Sequence, residues 1–274
     1  MSGPAGGGRA GSVLALVGNI SARSLRVWQR NRDVYFVTWK TNLVPPLLEP
    51  ILYLLAFGAG IGALVSEVQY RGEMIGYTTF IAPGLLATQV MFQAFFETTY
   101  NTFVRMYYQR TFDSIMTTPL TLEDVMAGEL LWGASKGVIG CAVMMVALSA
   151  FGLLRYPHAL VIIPFSFLAG LLFAGLGLCF TGIVPQIDSF NFPTFLFVMP
   201  MFLFSGTFFP LDVLPRWAQV LAEALPLTHV ANLMREAALG RLPADLLRDL
   251  LYLAVATIPL CVAGIHLMRR RLVK

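Results

Sequence analysis

Few side chains in this sequence could do bond chemistry, and they are scattered. Its three histidines, His158, His229 and His266, lie far apart, and neither a His-Glu-x-x-His nor a Gly-x-Ser-x-Gly pattern occurs. Ser205-Gly206 with His229 faintly suggests a serine hydrolase but lacks the Gly-rich context that such enzymes use. Cys141, Cys179 and Cys261 each sit in an apolar stretch with no Cys-x-x-Cys spacing, so they read as small core residues rather than metal ligands. No Gly-x-x-x-x-Gly-Lys-Ser/Thr loop is present, so the chain cannot hold ATP in a P-loop of its own. Energy for any work must come from a partner or an ion gradient. What remains is a set of ionisable residues inside apolar segments: Glu49, Glu97, Glu129 and Lys136. Charge in hydrocarbon is expensive and by default marks function. Glu49 and Glu97 fall toward segment ends, where snorkelling or a hydrogen-bonded structural role serves equally well. Glu129 and Lys136 are seven apart on one helical face, and Lys136 is long enough to reach an interface.

The elements that must carry these residues follow from composition. The 274 residues are 57% hydrophobic with a mean hydropathy of +0.71, and 12% are charged, against about 25% in soluble domains. Nineteen basic and fifteen acidic residues leave a net charge of +4, with the basic ones near helix ends rather than in one patch. Nucleic acid is therefore excluded as a partner. A span needs about 20 apolar residues to cross the hydrocarbon, and six such stretches occur, at roughly 43–65, 77–103, 131–153, 159–184, 190–209 and 249–268. The fold class is all-α and polytopic, with no convincing internal repeat of the kind ion-coupled carriers often have. Twelve Lys and Arg lie on the side of the two termini and six on the other, so both termini are predicted to be cytoplasmic in a bacterial inner membrane. Trp39, Tyr77, Trp132, Tyr156 and Tyr252 fall near span ends, as interfacial aromatics should.

Residues 1–12 read as a disordered, retained tail. Over 13–40, Val13, Leu16, Val17, Ile20, Val27 and Trp28 recur at helical spacing while Arg23, Arg26 and Arg30 gather opposite them. This predicts an amphipathic helix along the membrane surface, in which Arg23, Arg26, Trp28 and Arg30 are the interface residues. A simple positive-inside anchor fits the same pattern. Gly58 and Gly62, and likewise Gly133 and Gly137, are four apart and allow close helix contact. The six-span unit occupies 41–274.

Two loops stand out. Between spans two and three, Phe112, Ile115 and Met116 form an i, i+3, i+4 ridge that Pro119 ends, and Thr121 can cap the next helix. Such a ridge suits a groove on a soluble partner, and equally an interfacial helix that merely turns the chain. Between spans five and six, prolines 210, 215 and 226 mark short helices, the first with Trp217, Val220, Leu221 and Leu225 on one face. It reads as a re-entrant wedge that could close an outer mouth, or as an ordinary interfacial helix. Phe208, Pro210, Trp217 and His229 are the outer-gate candidates. The phenylalanines of span five could line a path for lipid tails or sugar rings, or could simply face lipid.

These motifs resemble the ABC-2 type permease family. The stretch 204–235, with its Ser-Gly-x-x-Phe-Pro-Leu-x-x-Leu-Pro start and its Pro-Leu-Thr-His and Arg235 finish, is similar to that family's signature. Trp28-Gln-Arg30-Asn, Tyr53 to Gly62, Phe96-Glu97-Thr-Thr-Tyr100, Gln109-Arg110-Thr and Gly128-Glu129-Leu-Leu-Trp132 with Lys136 resemble its lipo-oligosaccharide exporter branch over about 28–272. The resemblance implies two permease copies, a homodimer, working with two ABC ATPase subunits that carry ATP and Mg, while this chain binds no cofactor or metal and catalyses no reaction. It implies a cytoplasmic coupling helix at 112–118 on the ATPase, with Arg110, Phe112, Asp113, Ile115, Met116 and Thr118 as the contact. It implies a path beside spans one, two and five, for which Phe57, Phe96, Glu97, Tyr100, Phe195, Met199 and Phe202 are the candidates. The cargo it implies is an amphipathic glycolipid, lipo-oligosaccharide or polysaccharide, or alternatively a drug or natural product, moved among membrane lipids.

Overall fold

A computed structural model describes residues 18–241 and 245–273. Helices account for most of the chain, and six of them are long and apolar enough to cross a membrane: Trp39–Gly58, Tyr77–Tyr108, Leu122–Ala150, His158–Ile183, Ile187–Phe204 and Leu246–Leu272. Helix α1 (Ser24–Val37) precedes them. Span α2 starts at Trp39, α3 at Tyr77, α5 at Leu122, α6 at Ile162, α7 at Ile187 and α10 at Leu246. Short helices lie between them: α4 (Thr111–Met116), α8 (Arg216–Glu223) and α9 (Pro226–Ala238). A two-stranded hairpin, β1 (Glu67–Tyr70) and β2 (Glu73–Gly76), joins α2 to α3.

The core is the contact of α3, α5 and α6, with α9 and α10 packed on α6. Small residues set its spacing. A Cβ on Gly177 would lie 2.3 Å from the Thr98 hydroxyl and 2.9 Å from the Phe95 carbonyl oxygen. At that distance the α3 and α6 backbones touch, which only glycine permits. Gly133, flagged by its four-residue spacing, likewise sits against Thr98 and Ala174. In contrast, α2, α7 and α10 bury little of their surface, and Leu52, Leu55, Phe192, Phe195 and Val255 stand exposed from the body.

Several boundaries differ from the sequence reading, for physical reasons. Span three begins at Leu122 rather than near 131, because Thr121 and Asp124 form a capping box that starts the helix within a charged turn. Hydropathy alone discards that turn. Span five ends at Phe204, because Gly206 adopts a left-handed φ of 68°. The single helix expected over 13–40 is shorter: residues 1–17 lie outside the described residues, the chain turns at 19–23, and Thr38 separates α1 from α2. The buried face of α1 is Ser24, Val27, Asn31 and Tyr35, which packs on α5, so this helix is docked on protein. The hairpin has no counterpart in the sequence reading, because its strands are only four residues each.

Gly177→Val is expected to lower stability by about 1–3 kcal/mol, the usual cost of overpacking a tight contact. Thermal unfolding of the purified protein in detergent measures this. An unchanged Tm would contradict the α3–α6 contact.

Candidate functional site

Where α1, α3 and α5 meet, two buried carboxylates are held by two cations that are themselves mostly covered. Glu97 is 2% exposed and Glu129 is 1% exposed. The Glu97 carboxylate accepts from Arg105 Nη1 at 2.8 Å and Trp132 Nε1 at 3.0 Å on one oxygen, and from Lys136 Nζ at 2.7 Å and Asn101 Nδ2 at 2.6 Å on the other. Glu129 accepts from Asn31 Nδ2 at 2.9 Å, from the Thr102 hydroxyl at 2.8 Å and from Arg105 Nη2. Two carboxylates thus face two cations, and every carboxylate oxygen is occupied. A lone buried charge would be prohibitive, whereas a neutral set with every carboxylate oxygen hydrogen-bonded is tolerated in low dielectric, even with Arg105 Nε left without a partner among the described residues. Wide π-turns at Glu97–Asn101 and Val104–Tyr108 help assemble it. Mixing them with ordinary 3.6-residue turns averages near about four residues per turn, which aligns residues 97, 101 and 105 on one face.

The same region holds α1 and the loop after α3 in place. Asn31 joins α1 to Glu129, Trp28 Nε1 donates to the Ser135 hydroxyl at 2.9 Å, and Tyr35 meets Trp132 edge to face at 5.5 Å. Ser21 donates its backbone N–H to Asp124 at 2.6 Å. Arg30 reaches the Thr111 hydroxyl at 3.5 Å, where α4 begins, and Arg23 reaches the Pro119 carbonyl oxygen at 2.6 Å, just beyond where it ends. Arg26 is exposed. Burial and the neighbouring Arg105 push the Arg30 pKa down from its ordinary value, with Glu129 acting against them. Arg110 takes a left-handed φ of 48°, which turns the chain sharply into α4.

A third feature is a continuous run of aromatic rings down one side of the bundle. Phe57 meets Phe208 at 5.0 Å, Phe208 meets Phe202 at 4.9 Å and Phe202 meets Phe92 at 5.5 Å. The run continues from Phe92 to Phe96 at 5.7 Å, to Tyr100 at 5.8 Å and to Phe190 at 5.2 Å. Its members are drawn from α2, α3, α7 and the loop after α7; most are partly buried and pack on the core, and Phe190 is fully buried, so the strip lies where the core meets the surface.

The ABC-2 type transporter family model matches residues 24–239. The chain belongs to that family. It is 36% identical over 267 residues to "Nodulation protein J" of Rhizobium leguminosarum bv. trifolii, covering 96% of this chain and 98% of the relative. It is 35% identical over 252 residues to the protein of the same name from Sinorhizobium fredii, covering 90% and 93%. It is 26% identical over 218 residues to "Inner membrane transport permease YadH" of Escherichia coli, covering 78% and 82%. The chain is accordingly a permease subunit of an ABC transporter, a class that is not itself catalytic and that implies an ABC ATPase partner.

The residues picked from sequence distribute unevenly over this permease. Phe57, Phe96, Tyr100 and Phe202 share the aromatic strip, and Met199 is half-buried on α7. Glu97 leaves the strip for the ionic cluster, where four donors neutralise it, and Phe195 points outward from the body. The supposed coupling ridge is split: Phe112 is 2% exposed in the core, Ile115 is half-buried, and Asp113, Met116 and Thr118 remain exposed. Phe112 therefore anchors α4 and does not lie on its open face. Of the outer-gate set, Phe208 joins the strip, Pro210 borders a polar cavity and Trp217 is 67% exposed. His229 is buried, its Nδ1 paired with Asp249 at 2.8 Å and its Nε2 on the Glu223 carbonyl oxygen at 3.0 Å. With both nitrogens occupied, and the Ser205 hydroxyl without a hydrogen-bond partner among the described residues, Ser205 and His229 do not pair.

Trp132 is the clearest correction. Read as an interfacial aromatic, it is instead buried and donates to Glu97. Arg105 is a further member that hydropathy does not pick out. The available signal was the four-residue spacing of Glu97, Asn101 and Arg105. Glu97→Ala leaves two buried cations underpaired and is expected to cost about 3–5 kcal/mol. Combining it with Lys136→Met should lose clearly less than the sum of the single changes. Detergent unfolding curves of the set test this, and strict additivity would contradict a shared network.

Proposed function

We propose that the chain is the membrane path of an ATP-driven exporter that moves an amphipathic glycolipid, lipo-oligosaccharide or polysaccharide across the bacterial inner membrane. ATP and Mg are bound by a separate ATPase, two copies of which work on a homodimer of this permease. The observation that carries the reading is the aromatic strip from Phe208 to Tyr100. Aromatic faces accept both lipid chains and the apolar faces of sugar rings, and a ladder of them offers successive sites of similar strength. One edge of the strip is partly exposed in a single copy, and a second copy set against the little-buried α2 and α7 would enclose it. The twelve-to-six asymmetry in Lys and Arg supports cytoplasmic termini, which puts α1 and α4 on the ATPase side. There Asp113, Met116 and Thr118 offer an open face for the ATPase, backed by Phe112. Trp217, Val220 and Leu221, exposed on α8, then lie in the outer leaflet.

A second reading, export of a drug or natural product, is favoured by one feature. Glu49 is half-buried beside Pro45, Leu48, Leu52 and Phe57 around a concavity of about 530 Å³, a setting for a lipophilic cation. Reconstitution with the ATPase in proteoliposomes, offering lipid-linked oligosaccharides and lipophilic cations in parallel, separates the two. ATP-dependent movement of the saccharide lipid is the expected result. Movement of the cations alone, lost in Glu49→Gln, would replace the first reading with the second.

Met116→Asp is expected to reduce ATPase co-purification at least several-fold while the permease still inserts and folds, because it charges the open face of α4. Phe112→Ala should act differently, lowering the permease's own stability by about 3–5 kcal/mol through a lost core ring. Equal co-purification of Met116→Asp and the unaltered permease would remove α4 from the ATPase contact.

A further inference from the structure

At the end of the bundle opposite α1, the hairpin, α8 and α9 enclose a polar cavity of about 270 Å³. It is distinct from the aromatic strip. Its base is Arg235, which is 1% exposed and donates to the Phe80 carbonyl oxygen at 3.1 Å and the Gly206 carbonyl oxygen at 2.7 Å. Its guanidinium also lies over the Phe80 ring at 4.0 Å. Arg71 is presented by a two-residue turn in which it and Gly72 both take positive φ, 49° and 84°. That arginine is spent on Asp245 at 2.9 Å and Glu236 at 3.3 Å.

The groups left to meet a ligand are of another kind. Asp212, the Glu223 carboxylate and Asn232 line the cavity with no side-chain hydrogen bond among the described residues. Gln219 donates to the Leu214 carbonyl oxygen at 2.9 Å, which leaves its own carbonyl oxygen to accept. Tyr70 lines the same cavity at 9% exposure; among the described residues neither its hydroxyl nor the neighbouring Glu236 Oε1 makes a hydrogen bond of good geometry, and Glu236 and Arg235 both lie close to that hydroxyl. Burial pushes the Tyr70 pKa up, with Arg235 acting against it and Glu236 adding to it, so that hydroxyl stays protonated and can turn its proton from Glu236 to a ligand. A buried polar group normally finds a partner, and one without is a place where a ligand fits.

This inventory discriminates among ligand classes. An anion would find both arginines engaged and two unpaired carboxylates opposing it. Among the described residues no group of three His, Cys, Asp or Glu is placed to hold a metal ion. A neutral polyol matches each group: its hydroxyls donate to Asp212, Glu223 and Gln219 and accept from Asn232 and Tyr70. Sugars are the common ligands with several adjacent hydroxyls on a unit of this size, and Leu211 and Pro210 supply an apolar wall.

We infer that this cavity binds one neutral sugar unit, held by Tyr70, Asp212, Gln219, Glu223 and Asn232 above an Arg235 base. Its connection to cargo rests on the export reading, in which the unit belongs to the saccharide leaving the path. The test is calorimetric titration of the full chain in nanodiscs, without ATPase, using maltotetraose, cellotetraose, chitotetraose and mannotetraose, with inorganic phosphate as a control. At least one tetrasaccharide should bind saturably. Asp212→Asn and Asn232→Ala should each weaken that binding roughly tenfold, the scale of one lost hydrogen bond to a charged or amide group. Both positions are at least partly exposed, and Glu223→Gln provides a third variant if either fails to fold. The inference is overturned if no tetrasaccharide binds, if binding is indifferent to all folded variants, or if phosphate binds and tightens in Asp212→Asn. ATP-driven transport is scored separately. Saccharide binding with no transport of lipid-linked sugar would sink the export reading alone, and transport with no saccharide binding would sink this site alone.

Discussion

The structure depends on four charges that neutralise one another largely away from water. Glu97 and Arg105 pair within α3, while Arg105–Glu129 and Lys136–Glu97 cross to α5, so the full set closes only when the two helices meet. Burial makes each ion's presence conditional on the others. Asn31 of α1, Thr102 of α3 and Trp132 of α5 complete the shell, so an interfacial helix and two spans are joined at one point. A hydrophobic contact would hold these helices together in any of several registers. Directional hydrogen bonds to carboxylate oxygens admit one.

From that point the rest of the permease follows. With α1 fixed, Arg30 and Arg23 reach either side of α4, and Phe112 plugs α4 into the core. The proposed ATPase contact is therefore mounted on the same body as α3 and α5. The close glycine contacts carry that body on into α6. The spans that bury least, α2, α7 and α10, are left to meet lipid or a second copy, and the aromatic strip lies among two of them. On the proposed reading the interior is a rigid lever and the periphery forms the path. The polar cavity at the opposite end differs from the strip in chemistry: hydrogen-bonding groups there, ring faces here.

Much of this was legible in the sequence, and the parts that were not share a cause. Six spans could be read because each is a long apolar run, and composition is local. The Thr121 cap was readable because its partner lies three residues on. The α10 start at Leu246 and the α5 start at Leu122 were read late, because charged first turns disguise them. The Glu97 network is visible only as separate charges, since a hydropathy pattern reports how unusual a charge is and not which neutral or basic side chain, from 8 to 98 residues away, meets it. Phe112 was placed on the outside because an i, i+3, i+4 ridge has no sign: periodicity finds a face without saying what covers it. Arg235 belonged to a recognisable motif, yet its carbonyl partners on Phe80 and Gly206 are backbone atoms that no residue type announces.

The central claim, that α1 and the end of α3 move as one body through the ionic cluster, is tested most directly by a distance between them. Spin labels at Phe36→Cys and Tyr108→Cys, both exposed positions, can be placed in a background with Cys141, Cys179 and Cys261 replaced. Pulsed dipolar spectroscopy on the assembled transporter should then give one narrow distance that is the same with and without trapped ATP, and that broadens when Glu97→Ala is added. A shift or a second population on ATP trapping in the unaltered cluster, or no effect of Glu97→Ala, would contradict it.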